Sequence, residues 1–355
     1  MSTGKKMAQK TTNNHLIVRH SDNSYSKICD FLIDDLGFQD LSTVENSNSI
    51  KSKKSLAIDL VSDTINILRN LAKYRSVDTI VAIGYVAIPL KILAKLRLIR
   101  YKRLYWLAFF IHSPKWLAWF RLFVKFDTNK DYYILFSEFE QHFYHKELSI
   151  KLENTAYLPY GDWDNKISEQ KLNTTSKSTS KNKTEIYYFA GGYSNRDYPP
   201  LIEVFNKLPY KLIIACSTLN QDIDNVKVEK NIQILKDISS DHFDDLVLHA
   251  KACILPLKHD TGASGQSVLL RYMIHRKIII SSRTNAVEEY IEHKKSGILL
   301  GNMGRELSEV IQQIETRPVD FFNFGDAVFE KFRLKFSFDV ITKKLSEILS
   351  IQTNG

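Results

Sequence analysis

Short apolar runs alternate along this chain with stretches in which apolar residues recur every three or four positions. The runs read as buried strands and the stretches as helices. In the first half, strands are expected at His15–Arg19, Asp78–Gly84, Tyr105–Ile111 and Asp131–Phe136. Between them, Ile28, Leu32 and Leu36 mark a helix over Tyr25–Leu36, and Ile88–Ile99 has the same spacing. Ser55–Tyr74 places Leu56, Leu60, Ile67, Leu68 and Leu71 on one helical face, the face expected to be buried. Trp116–Phe126 reads as a helix that is apolar nearly all round, broken by Arg121 and Lys125. From Gln39 to Lys54 the chain turns to Ser, Asn, Lys and Thr and reads as a surface loop. In the second half, strands are expected at Glu185–Ala190, Lys211–Cys216, Ile232–Leu235, Ala252–Leu257 and Lys277–Ser281. Helices are expected at Asp241–Ala250 and Val268–His275. Strands alternating with helices argue for parallel sheets covered on both faces, an α/β fold.

At 355 residues and 44% hydrophobic, the chain can bury two cores. The boundary is expected at 166–184, where Lys, Ser, Thr and Asn dominate and read as a linker. Residues 1–14 are polar, carry no apolar core of a signal peptide, and read as a disordered tail. Three scattered cysteines give no framework of bridges and suit a reduced, cytoplasmic setting. No apolar run reaches the ~18 residues that a membrane span needs.

The net charge of +9 points to an anionic partner, and its distribution narrows the choice. Between Asp78 and Asp127 there is no acidic residue, while Arg100, Lys102, Arg103 and Lys115 stand among Trp106, Trp116 and Trp119. Rings beside cations suit the headgroup level of an anionic membrane, so these seven residues are the expected membrane or acceptor contacts. The bland alternative is a core helix edged by surface lysines. Stacking on single-stranded nucleic acid is a third option, but no nucleic-acid motif accompanies the window.

Two glycine-bearing loops carry candidate chemistry. Ser264, Gly265, Gln266 and Ser267 lie between an apolar strand and a helix, leaving little bulk over the helix N–H groups. Backbone there can meet a phosphate, and the helix dipole favours negative charge. The alternative is an ordinary βα loop. Gly191 and Gly192 end the strand that opens the second half, and Arg196 follows over the first crossover. A guanidinium there can grip phosphate in two places; otherwise it is a surface residue paired with Asp197.

The passage Leu269–Met273 into Arg276–Ile280, with Asn285–Ile291 and Gly297–Leu300 beyond, resembles GT-B glycosyltransferases, particularly the family 4 type. Gly192–Tyr198 resembles the Gly-X-Ser-X-Arg-Asp-Tyr of some glycosyltransferases, and Asn154–Asp164 the close of a GT-B N-terminal domain. The resemblance runs from about Ile186 to Leu300 and is weaker elsewhere. It implies two Rossmann-like domains with parallel sheets facing a central cleft. Residues 15–165 would bind the acceptor and 185–335 a nucleotide-sugar, with the helix in 336–355 packing back on the first domain.

The implied activity is hexosyl transfer, without metal or cofactor, from a nucleoside-diphosphate sugar to a glycan or lipid-linked acceptor. The expected setting is cell-surface polysaccharide synthesis at the inner face of the membrane, with no nucleic acid involved. The resemblance assigns the nucleotide-sugar to Gly191, Gly192, Arg196, Ser264–Ser267, Arg271 and Glu289, with the diphosphate at Arg196 and Ser264–Ser267. His112 and Glu138 are the candidate catalytic groups of the first domain. Asp162-Trp163-Asp164 fits a metal-binding Asp-X-Asp, but its place before the linker favours the GT-B reading. One departure stands out: family 4 enzymes carry two glutamates eight positions apart, where this chain has Ala263 and Arg271. A UDP-sugar epimerase of the same fold, or a non-catalytic membrane or nucleic-acid binder, are the alternatives.

Overall fold

The computed structural model describes residues 14–20, 25–41, 55–111, 113–163, 186–258 and 264–350. They fall into two compact units. The first comprises Met1–Leu135, Gln141–Tyr157 and Ser346–Gly355, the second Phe136–Glu140 and Leu158–Leu345. The expected linker and residues 1–13 of the expected N-terminal tail lie outside the described residues.

The first unit holds a six-stranded, wholly parallel sheet in the order β2-β1-β3-β4-β5-β6. Its strands are β1 (His15–Arg19), β2 (Gln39–Asp40), β3 (Val77–Ile83), β4 (Tyr101–Leu107), β5 (Asp131–Leu135) and β6 (Thr155–Tyr157). The helices are α1 (Ser26–Asp34), α2 (Ser55–Arg69), α3 (Ala87–Lys95), α4 (Pro114–Phe123) and α5 (Glu138–Leu148), whose first three residues belong to the second unit. β2 falls inside the expected surface loop, a two-residue strand too short to leave a periodic signal. β4 opens before the apolar run that begins at Tyr105. Arg103 pairs with Thr79 in the ladder while its side chain stays exposed. Of the expected buried face of α2, Ile67 is buried but Leu68 is 41% exposed.

The second sheet runs β12-β11-β10-β7-β8-β9, again all parallel. Its strands are β7 (Tyr187–Gly191), β8 (Lys211–Cys216), β9 (Ile232–Lys236), β10 (Ala252–Leu255), β11 (Ile278–Ser282) and β12 (Ile298–Leu300). The first strand therefore lies beside the fourth, the doubly wound order whose direction reverses between them. Helices α6 (Tyr198–Phe205), α7 (Ser240–His249), α8 (Gln266–Ile274) and α9 (Asn285–Glu288) connect the strands. Beyond β12 lie α10 (Met303–Thr316), α11 (Phe324–Lys335) and α12 (Phe338–Leu349). Tyr187, Phe189, Cys253 and Leu255 pack in one core, and Tyr188, Ala190, Ala252 and Ile254 in the other. Alternate side chains thus fill both faces, which is why the strands read as continuous apolar runs. The pattern reading assigns no element to residues 301–335, where α10 buries Met303, Leu307, Ile311 and Ile314 beneath a charged outer face.

Candidate functional site

In an open parallel sheet, loops leaving the two strands at the reversal diverge and leave a crevice at their carboxyl ends. In the second unit those strands are β7 and β10, and both glycine loops emerge there. β7 ends at Gly191, and Gly192 takes a φ of +105°, a conformation that suits glycine. A methyl group at Gly192 would strike the Arg196 guanidinium. The close approach thus needs glycine as much as the turn does.

Arg196 folds back over that turn. Its Nε donates to the Gly191 carbonyl at 2.9 Å and its Nη1 to the Ser194 carbonyl. Leu257, just past β10, bridges Arg196 antiparallel, and Asp197 N donates to the Pro256 carbonyl at 3.0 Å. Tyr198 Oη donates to the Gly192 carbonyl at 2.5 Å and steadies the loop from below. Arg196 is only 3% exposed, and among the described residues no carboxylate pairs with it. Burial lowers its pKa, but a guanidinium stays protonated. The site therefore holds a permanent cation whose protein partners are neutral carbonyls. That rules out the alternative of a surface arginine paired with Asp197.

The second loop meets the first. Asn195 Nδ2 donates to Ser264 Oγ at 2.8 Å, and Lys258 N to the Asn195 carbonyl at 3.2 Å. Gly265, at φ +86°, is the N-terminal cap of α8 and has no side-chain cap to offer. A Cβ there would sit 3.1 to 3.3 Å from the Leu255 and Leu257 side chains. Ser267, in the first turn, is exposed. Residues 259–263, including Ala263, lie outside the described residues. Gln266 is buried, and its Nε2 donates to the Phe136 carbonyl at 3.1 Å. Its amide holds a chain segment rather than facing the loop.

The remaining expected residues do not gather here. Arg271 Nε donates to Asp244 Oδ1 at 2.5 Å, its Nη2 to the Ser240 carbonyl at 2.5 Å, and its guanidinium lies 4.0 Å from the Phe243 ring centre. It ties α8 to α7 with its charge already compensated. Glu289 accepts from Ser137 Oγ at 2.5 Å and from Phe139 N at 3.3 Å. It thus caps the start of α5 from a distant point in sequence. Glu138 is the first residue of that helix, where the dipole favours an acid. His112 lies outside the described residues.

The basic aromatic window is not one surface. Trp106 is fully buried, with its ring 5.8 Å from that of Tyr133. It is a core residue and touches no partner. Arg100, Lys102 and Arg103 stand at the amino end of β4, whereas Lys115, Trp116 and Trp119 belong to α4 beyond its carboxyl end. A seven-residue strand, ~20 Å long, separates the groups. Lys91, another base of the window, is buried against Asp127. Asn195 and Ser137 escape sequence reading because their partners are brought together by the fold alone.

No protein-family model matches the sequence, and no curated protein matches it. Solved structures do match. A glycosyltransferase from Rickettsia africae ESF-5 superposes with a TM-score of 0.68 at 13% identity, over 94% of this chain and 97% of that one. HepE of Anabaena, solved with UDP, gives 0.65 at 14%, over 95% and 99%. Sucrose-phosphate synthase from Thermosynechococcus elongatus gives 0.69 at 13%, over 95% and 98%. These are GT-B proteins, and the chain has the GT-B fold, with two Rossmann-like units.

Proposed function

We propose that the protein is a glycosyltransferase that moves a sugar from a nucleoside-diphosphate donor to a glycan or lipid-linked acceptor. The observation that carries this reading is Arg196: a buried guanidinium with no counter-ion among the described residues, beside the uncapped start of α8. An isolated buried charge costs several kcal/mol, and a diphosphate would supply the missing anion. As the sugar–phosphate bond breaks, negative charge builds on the leaving diphosphate. Arg196 and the first N–H groups of α8 would stabilise it without a metal. HepE, of the same fold, has been solved with UDP and with UDP-glucose, which supports a uridine-diphosphate donor here. Polysaccharide synthesis at the inner membrane face is the setting we assign. Nucleotide release from a panel of donor sugars, with and without glycan and lipid-linked acceptors, tests the reading. Acceptor-dependent release from one donor is expected. No release from any donor, with no UDP binding in calorimetry, would overturn it.

A further inference from the structure

We infer that the first unit rests on an anionic bilayer through the outer face of α2, α3 and α4. The connections β2 to β3, β3 to β4 and β4 to β5 all step the same way across the sheet. Right-handed crossovers then set the three helices on one side of it. Packing agrees: Ile67, Leu93 and Phe120, one from each helix, share a core with Leu16, Ile80 and Leu104.

The opposite faces of these helices should be polar in a water-soluble α/β layer, as α10 is in the second unit. They are not. α2 exposes Ile58, Val61, Ile65 and Leu68, a full helical stripe. α3 exposes Ile92, and Leu96 at its C-terminal cap is 62% accessible. From α4 onward, Trp119, Leu122 and Phe126 are exposed, with Leu122 again at 62%. α2 packs against α3, and Lys95 Nζ lies 5.9 Å from the Phe126 ring centre, so the stripes adjoin. A contiguous apolar face of this extent marks a contact surface.

Its charge selects the partner. Asp59 and Asp63 face His20, Asp78 pairs with Lys102, and Asp127 with Lys91. Among the described residues, Lys73, Lys95, Arg97, Lys115 and Lys125 have no carboxylate partner. In a symmetric dimer through this face, those cations would oppose one another. Exposed apolar side chains that alternate along the chain with cations lacking a described carboxylate partner suit anionic headgroups instead. No helix of the described residues is long and apolar enough to cross a membrane, so contact would be at the interface.

This rests on the membrane half of the proposed function and not on the donor assignment, and the two can fail separately. Flotation with vesicles of phosphatidylcholine alone, and of phosphatidylcholine with phosphatidylglycerol, is the measurement. The parent should float with the anionic vesicles at low salt and release at high salt. Joint substitution of Leu96→Ser, Leu122→Ser and Phe126→Ser should abolish flotation and leave UDP affinity unchanged. Lys73→Ser, Lys95→Ser and Lys125→Ser should each weaken partitioning about fivefold. A parent that binds UDP yet ignores anionic vesicles at low salt overturns the inference. So does a concentration-dependent dimer that the apolar substitutions dissolve.

Discussion

Two cations are buried to nearly the same depth, Lys91 at 5% exposure and Arg196 at 3%, and they differ in what surrounds them. Lys91 pairs with Asp127 and donates to Tyr133 Oη at 3.1 Å. Its ammonium also lies 5.2 Å from the Phe123 and Tyr133 ring centres and 5.7 Å from that of Trp106. Arg196 meets two backbone carbonyls and, among the described residues, no carboxylate. Removing either charge from water costs several kcal/mol. In the first unit the chain offsets that cost itself; in the second, no described carboxylate does. Depth of burial does not separate a structural cation from a functional one. The partner among the described residues is what differs between Lys91 and Arg196.

The comparison breaks most visibly at Asp127. Asp127→Asn leaves Lys91 buried without its counter-charge, and the first unit should lose about 3–5 kcal/mol. Replacing the pair together, Lys91→Met with Asp127→Leu, removes both charges at similar volume and should be near neutral. Denaturant unfolding followed by tryptophan fluorescence reads both variants. A single variant as stable as the parent would mean that the pair does not hold the charge.

Arg196→Ala should behave in the opposite way. Losing a hydrogen bond to a charged group removes about 1.5–3 kcal/mol of UDP binding, one to two decades in affinity. Stability of the unliganded protein should hold or rise, because an uncompensated buried charge has gone. Gly192→Ala sharpens the point: it keeps the charge but its methyl group displaces the guanidinium, so affinity should fall in a folded protein. If Arg196→Ala destabilises the protein and spares UDP affinity, Arg196 belongs with Lys91.

What the sequence discloses follows the range over which each signal acts. The parallel α/β class is legible because strands buried on both faces have no polar positions to hide among, as in Tyr187–Gly191. The loop glycines are legible because a positive φ at Gly192 and Gly265 selects the residue type locally. Partnership is not. Nothing near Arg271 in sequence announces Asp244, and nothing near Glu289 announces Ser137, since the fold alone joins them. Trp106 reads as interfacial beside Arg103, yet the second half of β4 is buried on both faces and its ring lies in the core. On α2, Leu68 follows the buried Ile67 and extends the exposed stripe of Ile58, Val61 and Ile65. Periodicity finds a stripe without saying which side the sheet takes.

Arg271 supplies the smallest test, because it stands on the compensated side of the comparison within the second unit. Burial pushes the Asp244 carboxyl up, but His275, 3.8 Å away, and the Arg271 hydrogen bond outweigh it and hold it at about 2 against an ordinary 3.8. A carboxylate whose folded pKa is depressed stabilises the protein above its unfolded value and loses that contribution as pH falls through the folded one. The window here is therefore pH 3.8 down to about 2. The pair is partly solvated, so screening reduces the effect to about 1 kcal/mol. Parent stability should fall across that window by more than that of Asp244→Asn, with the two curves converging at its acid end. Parallel curves would show that Asp244 carries no such linkage. Arg271 would then tie α8 to α7 through Ser240 and the Phe243 ring alone.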